Sequence, residues 1–164
     1  MISAVGKPLT VGIADVKLAQ NGGKLITYAL GSCIGVCFYD PRLKLAALLH
    51  IMLPLNMETG RKNPLKYADT GIVETLRMME AKGALRSRMV AKIAGGAKMF
   101  EMSGKGGLGN IGQRNIESVR MVLKRERITL MAEDVGGTVA RTLSFDSATG
   151  TAQIQSYGKP TTQL

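Results

Sequence analysis

Apolar side chains in this chain recur with two periods, close to two along most of the sequence and close to 3.6 in two stretches. Residues 10–18 alternate enough to read as a strand, Gln20-Asn21-Gly22-Gly23 is a turn signal, and 24–30 reads as a second strand, so the two are expected to pair as a hairpin. A third strand spans 34–39, ending at the turn Asp40-Pro41. The next stretch, 44–52, is almost continuously apolar, the mark of a strand covered on both faces, and it holds His50 near its C-terminal end. Residues 53–64 carry too much Pro, Gly and polar content for a core element and read as a loop placed to border a site.

A helix is predicted after Asn63-Pro64, where Asn caps and Pro suits the first helical position. Its stripe is Ala68, Ile72, Leu76 and Met79, and Gly83 ends it. A strand over 88–94 leads into Gly95-Gly96 and a glycine-rich run, 103–112, that cannot be regular structure. A second helix over 112–127 places Ile116, Val119, Val122 and Leu123 on one stripe and turns Arg114, Glu117, Arg120 and Lys124 to water. Strands over 128–132, 139–145 and 152–157 follow, the last two joined by a turn at 147–150. This order predicts an α+β fold, an α/β sandwich of mixed, largely antiparallel sheets packed with two main helices, and disfavours a dinucleotide-binding sheet. The run 104–109 has the glycines of a phosphate loop but follows no clear strand and lacks the Gly-Lys-Ser/Thr ending, so it reads as a flexible loop.

The 164 residues suit one domain, 1–164, with a core at about 10–157 and less ordered ends. Its two cysteines sit in one apolar segment and make no disulfide framework, and no apolar run approaches the ~20 residues that cross a bilayer. The first eight residues lack the basic-then-apolar order of a secretory signal, so the cytoplasm is the expected compartment. Twenty-two basic residues against twelve acidic give a net charge of +10, which raises the question of nucleic acid. Three Phe, four Tyr and no Trp make a poor stacking platform, and no nucleic-acid motif is present. No nucleic-acid partner and no membrane insertion are therefore expected; an acidic protein partner or a solvated basic surface accounts for the charge.

Cys33 lies in Gly31-Ser32-Cys33, between two strand-like stretches, and His50 is the only histidine. A thiol works as a nucleophile in its thiolate form, and an imidazole within hydrogen-bond reach is a common way to reach that form near neutral pH. Spacing alone leaves the bland reading open, a buried cysteine and a core histidine. Cys33, Cys37 and His50 are too few for a structural zinc, which takes four ligands, so no metal and no cofactor are expected and Cys37 reads as a small buried hydrophobe. Asp69, Glu133 and Asp134 are better read as capping, solvated or loop-anchoring groups than as acids or bases.

Six blocks taken together carry more. Thr27-Tyr28-Ala29-Leu30-Gly31-Ser32-Cys33, His50-Ile51-Met52-Leu53-Pro54, Lys66-Tyr67-Ala68-Asp69-Thr70, Ala94-Gly95-Gly96-Ala97-Lys98-Met99-Phe100, Asn110-Ile111-Gly112-Gln113-Arg114-Asn115 and Ala132-Glu133-Asp134-Val135-Gly136-Gly137 occur in the order found in the CheD family, chemoreceptor glutamine deamidases of chemotaxis, which the chain resembles from about 10 to 152. The resemblance implies a Cys-His-Thr triad on Cys33, His50 and Thr27 and a sandwich similar to the catalytic domain of cytotoxic necrotizing factors. It also implies chemoreceptor cytoplasmic helices as substrate and a CheC-type phosphatase as partner. Leu49 before His50 and the tail 157–164 depart from the pattern without touching the triad. In such an enzyme Cys33 attacks the carboxamide, His50 shuttles the proton and Thr27 orients the ring. Backbone N–H groups around Ser32-Cys33 are the nearest source of oxyanion donors, with Gly31 permitting a tight approach of backbone to substrate, while Gly95-Gly96 and residues 110–115 shape the wall of the site. Two other readings compete: another thiol acyl-transfer enzyme, or a binding protein for a CheC-type phosphatase with little catalysis. Intact Thr27, Cys33 and His50 argue against the latter.

Overall fold

The computed structural model describes residues 2–3, 6–56, 63–99 and 110–164. The apolar runs become strands: β1 (Ile2–Ser3), β2 (Leu9–Thr10), β3 (Asp15–Gln20), β4 (Lys24–Leu30), β5 (Ile34–Asp40), β6 (Leu45–Ile51), β7 (Val90–Gly95), β8 (Thr129–Val135), β9 (Arg141–Asp146), β10 (Thr151–Gln155) and β11 (Thr162–Gln163). The 3.6-period stretches become α1 (Ala68–Ala81) and α2 (Ile111–Arg125). One sheet has the order β1-β3-β6-β5-β7-β8 and the other β11-β10-β9-β4-β2. Neighbours are antiparallel except β1 with β3, β7 with β8 and β2 with β4. The fold class is α+β, as expected.

Every residue of β5 and β6 is buried, because the first sheet is a middle layer. Its outer face packs Val36, Phe38, Leu45, Leu49 and Ile51 under Ile72 and Leu76 of α1 and Ile116 and Val119 of α2. Its inner face sets Cys37, Tyr39, Ala46 and Leu48 against Leu25 and Leu30 of β4, Leu143 and Phe145 of β9 and Ile154 of β10. With a strand's side chains alternating between faces, a run apolar at every position is what two-sided burial requires.

Four expectations change. Residues 10–18 are not one strand: β2 joins the second sheet beside β4, β3 joins the first beside β6, and the chain crosses between layers with Ala14 in the left-handed region at φ 57°. The predicted hairpin is therefore absent. Asn21 and Gly22 do turn the chain, with φ 53° and 100°, but they deliver it from one sheet to the other. Asn63 caps as predicted, accepting from the Leu65 N–H at 3.0 Å, yet what it caps is the short 3-10 turn Pro64–Lys66, and α1 starts at Ala68. Gly83 ends α1 at φ 99°, with its N–H bonded to Glu80 and that of Ala84 to Met79, the paired bonds of a glycine C-terminal cap. Arg88 belongs to a turn before β7. Part of the 53–64 loop, residues 57–62, and the glycine-rich run over 103–109 lie outside the described residues.

Candidate active site

His50 shares the inner face of β6 with Ala46 and Leu48, so its ring points into the space between the sheets. Directly opposite on β5 stands Gly35, where a Cβ would come within 2.7 Å of Leu143 Cδ2, so the bare glycine lets the second sheet approach closely at this level. Thr27 of β4 faces the ring from that second sheet. Its Oγ1 lies 2.7 Å from His50 Nδ1 and 2.7 Å from the Val11 carbonyl, and both side chains are buried. A carbonyl only accepts, so the single hydroxyl proton goes to Val11 and Oγ1 must accept from Nδ1–H. That assigns the tautomer and leaves Nε2 with a free lone pair. Among the described residues Nε2 is buried without a partner. Burial pushes the His50 pKa down to about 4, so the ring is neutral at pH 7 and Nε2 is a base.

Cys33 closes the turn between β4 and β5, half-buried, and packs on the inner-face core to which His50 belongs by strand register. It precedes Ile34, which pairs with Ile51, and Gly35, which pairs with His50, so it is a diagonal neighbour of the histidine across the two strands. Burial raises the Cys33 pKa, against the smaller opposing effect of its own backbone N–H. The resting pair is therefore a thiol and a neutral imidazole rather than a preformed thiolate and imidazolium.

The turn itself is held by all three of its carbonyls. Gly31 O accepts from the Ala97 N–H at 2.8 Å, Ser32 O from Asn115 Nδ2 at 2.8 Å, and Cys33 O from the Gly96 N–H at 2.9 Å. The Gly31 N–H is used by Ala29 O at 2.9 Å. Among the described residues no other group takes up the N–H of Ser32, and the Cys33 N–H lies against its own sulfur. Gly95 and Gly96 sit on the carbonyl side of this turn. A Cβ on Gly95, at φ 118°, would meet Cys33 O at 2.2 Å, and one on Gly96, at φ 70°, would meet Ile116 Cγ1 at 2.4 Å, so neither position accepts a side chain. Gly95 O is held in turn by the Gly136 N–H at 2.9 Å and by Arg141 Nη1 at 3.3 Å.

The remaining candidates are engaged elsewhere. Cys37 is buried in the inner core, and burial drives its pKa up despite the nearby Lys92 ammonium. Asp69 accepts from the N–H groups of Asn56 and Thr70, Glu133 pairs with Arg120, and Asp134 with Arg141 at 3.2 Å, which are anchoring roles. Among the described residues no group of His, Cys, Asp or Glu gathers to hold a metal ion, and no helix is long and apolar enough to cross a membrane. Beyond His50 the chain lines a groove of about 630 Å³ with Leu53, Pro54 and Leu55 facing Ile111 and Met121. Sequence reasoning missed Val11 and Arg141 and placed Asn115 only in the wall of the site, within 110–115; the available signals were a polar Asn115 and a charged Arg141 at positions whose neighbours are core.

A family model described as CheD chemotactic sensory transduction matches residues 52–156. A protein of Clostridium botulinum (strain Alaska E43 / Type E3) named probable chemoreceptor glutamine deamidase CheD is 48% identical over 149 residues, 90% of this chain and 92% of that one. Another of that name from Syntrophomonas wolfei subsp. wolfei is 46% identical over 155 residues, 94% of this chain and 96% of its own. The family model's match begins after His50, while relatives aligned over 94% of the chain leave too few residues outside to omit the segment from Thr27 to His50. Among solved structures, the crystal structure of Bacillus licheniformis hypothetical protein YfiH matches with a TM-score of 0.46 and 16% identity, over 73% of this chain and 49% of that chain.

Proposed function

This chain belongs to the CheD family, and from that premise we propose that it is a cytoplasmic deamidase converting specific glutamine side chains of chemoreceptors to glutamate. One observation carries the chemistry: a buried, neutral His50 whose Nδ1–H is fixed by Thr27 and whose Nε2 lone pair is left free on the side of the sheet that carries Cys33.

An amide carbon is a weak electrophile with a poor leaving group, and covalent catalysis divides the work. Nε2 of His50 takes the Cys33 thiol proton as sulfur attacks the glutamine carboxamide carbon. The imidazolium so formed gives that proton to the departing nitrogen, which leaves as ammonia, and a thioester remains. Neutral His50 then draws a proton from water as its oxygen adds to the thioester carbon, and collapse returns the proton to sulfur and releases glutamate. The N–H groups of Ser32 and Cys33, free of other protein acceptors among the described residues, are the donors best placed for the oxyanion because the turn's carbonyls are all drawn the other way. Because the resting pair is neutral, the thiolate forms only as the proton is handed over. Thr27 stabilises the imidazolium less than a carboxylate would, since it offers a dipole and not a charge.

The same site takes glutamate methyl esters by the same steps with methanol leaving. A CheC-type phosphatase is the partner that the sequence resemblance implies, and we propose it for this chain. The decisive experiment incubates the full chain with cytoplasmic fragments of receptors from its own source and follows ammonia release together with +1 Da shifts at glutamine by mass spectrometry. Peptide cleavage without ammonia would instead assign a thiol peptidase.

A further inference from the structure

Helix α2 buries one face, and Ile116, Val119, Val122 and Leu123 on it are what a core stripe calls for. Asn115 is not. It is fully buried where Leu would pack without polar atoms and favour the helix more. Its Nδ2 donates to the Ser32 carbonyl at 2.8 Å and to the Met52 carbonyl at 2.9 Å, while its Oδ1 is buried with no partner among the described residues. An amide that leaves its own oxygen unanswered in the core is a poor device for stability.

The two carbonyls it joins are those flanking the chemistry. Ser32 immediately precedes Cys33, and Met52 lies just beyond His50 at the end of β6. The ladder between β5 and β6 stops at the pair Ile34 and Ile51, so past that point no strand pairing fixes the turn against the end of β6. Asn115 supplies the link. Ser118, one turn further along the same face, makes a bond of the same kind, Oγ to the Pro54 carbonyl at 2.6 Å, but touches only the segment after β6. It is a matched control.

We propose that Asn115 is a positioning residue that sets the Cys33 turn against the end of the His50 strand, so that the thiol meets Nε2. The proposal rests on the Cys33 and His50 chemistry above but not on the identity of the substrate. Without Asn115 the turn keeps its bonds from Ala97 and Gly96 and stays folded. What it loses is its placement, and a displacement of roughly 1 Å is enough to cost on the order of a hundredfold in rate.

The test uses the full chain as Asn115→Leu and Ser118→Ala, each with and without His50→Asn, probed by iodoacetamide alkylation of Cys33 from about pH 5 to 9 and by turnover of a receptor fragment. Asn115→Leu should melt cooperatively, lose kcat by about a hundredfold with KM within about threefold, and alkylate Cys33 at a rate that adding His50→Asn changes by less than about twofold. In the wild type and in Ser118→Ala the same addition should change alkylation by about fivefold or more. A wild-type alkylation profile in folded Asn115→Leu overturns the assignment. If the leucine variant fails to fold, Asn115→Asp, which keeps the shape and loses both donors when ionised, is read in the same way, and failure of both to fold assigns Asn115 to stability and overturns the proposal too. Should the wild type release no ammonia while Asn115→Leu still uncouples Cys33 from His50, deamidation falls and positioning stands.

Discussion

Asp40 and His50 are buried on the same pair of strands, Asp40 closing β5 opposite Leu45 and His50 lying toward the far end of β6 opposite Gly35. The Asp40 carboxylate accepts from Arg88 Nη2 at 2.8 Å and Nε at 3.1 Å and from the N–H groups of Arg42, Leu43 and Leu85. Burial alone would raise its pKa, but Arg88 and those amides bring it below the ordinary 3.8, so the group stays charged inside the protein. His50 is treated in the opposite way. One ring nitrogen is answered by a neutral hydroxyl, the other by nothing among the described residues, and the ring is held uncharged. Saturating a buried polar group locks structure, whereas leaving one lone pair open stores a capacity to take a proton.

The largest effects should separate along that line. Cys33→Ala is expected to abolish ammonia release with the melting temperature nearly unchanged. Asp40→Ala, which strands buried N–H groups and Arg88, should lose about 2 to 4 kcal/mol, a fall on the order of 5 to 15 °C, while its folded fraction keeps turning over. Calorimetry beside an ammonia assay at low temperature decides this, and an Asp40→Ala protein that is stable but inactive would erase the distinction.

Next in size is Thr27→Ala. Losing the acceptor that orients the ring involves about 1.5 to 3 kcal/mol and should slow turnover by a factor on the order of ten to a few hundred. A wild-type rate in this variant removes Thr27 from the mechanism.

Acid should undo the two ends in different windows. His50 titrates near 4 when folded and near 6.5 when free, so below 6.5 the unfolded chain binds a proton the native chain refuses, and stability on the order of 3 kcal/mol drains away as pH falls from 6.5 to 4. The Asp40 contribution is present above 3.8 and is lost only as pH falls through its lower folded value. Denaturant titrations at intervals from pH 7 to 3 should show the first loss, and His50→Asn should remove it. In the same range kcat/KM should stay level down to about pH 5, because the free base persists to its pKa of about 4. An acid limb centred near 6.5 would mean that His50 is not desolvated.

The smallest effect belongs to Cys37, on β5 between the two ends. Cys37→Ala should keep activity within about twofold and cost stability of about 1 kcal/mol, as removal of a small buried group does. Equal losses for the two cysteine variants, both folded, would deny Cys33 its special place.

Much of this contrast was legible in the chain. The near-continuous apolar run 44–52 announced that β6 is covered on both faces, and the stripes of α1 and α2 announced two helices with one buried side each. The hairpin expected from 10–30 failed because Asn21 and Gly22 specify a reversal of direction and not the plane into which the next strand goes. The split of 10–18 was hidden because Val11 and Ile13 continue an alternating pattern straight through a crossing whose left-handed residue is an alanine. The Val11 carbonyl, which decides the tautomer of His50, is a backbone group with no signature at all. Asn115 was visible only within the stretch 110–115 expected to wall the site, since a helical wheel cannot tell a polar residue turned inward from an interruption of the stripe.

Thr27 reaches His50 from a strand whose register is set mainly by β9, with Leu143 directly opposite Thr27, while β2 touches β4 over only two residue pairs. A polypeptide made from its N-terminus therefore contains Cys33 and His50, neighbours through the pairing of β5 with β6, long before it contains the strand that holds Thr27 against the ring. Until residues 141–146 have emerged and paired, the nascent chain has a thiol and an imidazole but no fixed acceptor for Nδ1–H, so the proposed base acquires its orientation only after β9 has been made.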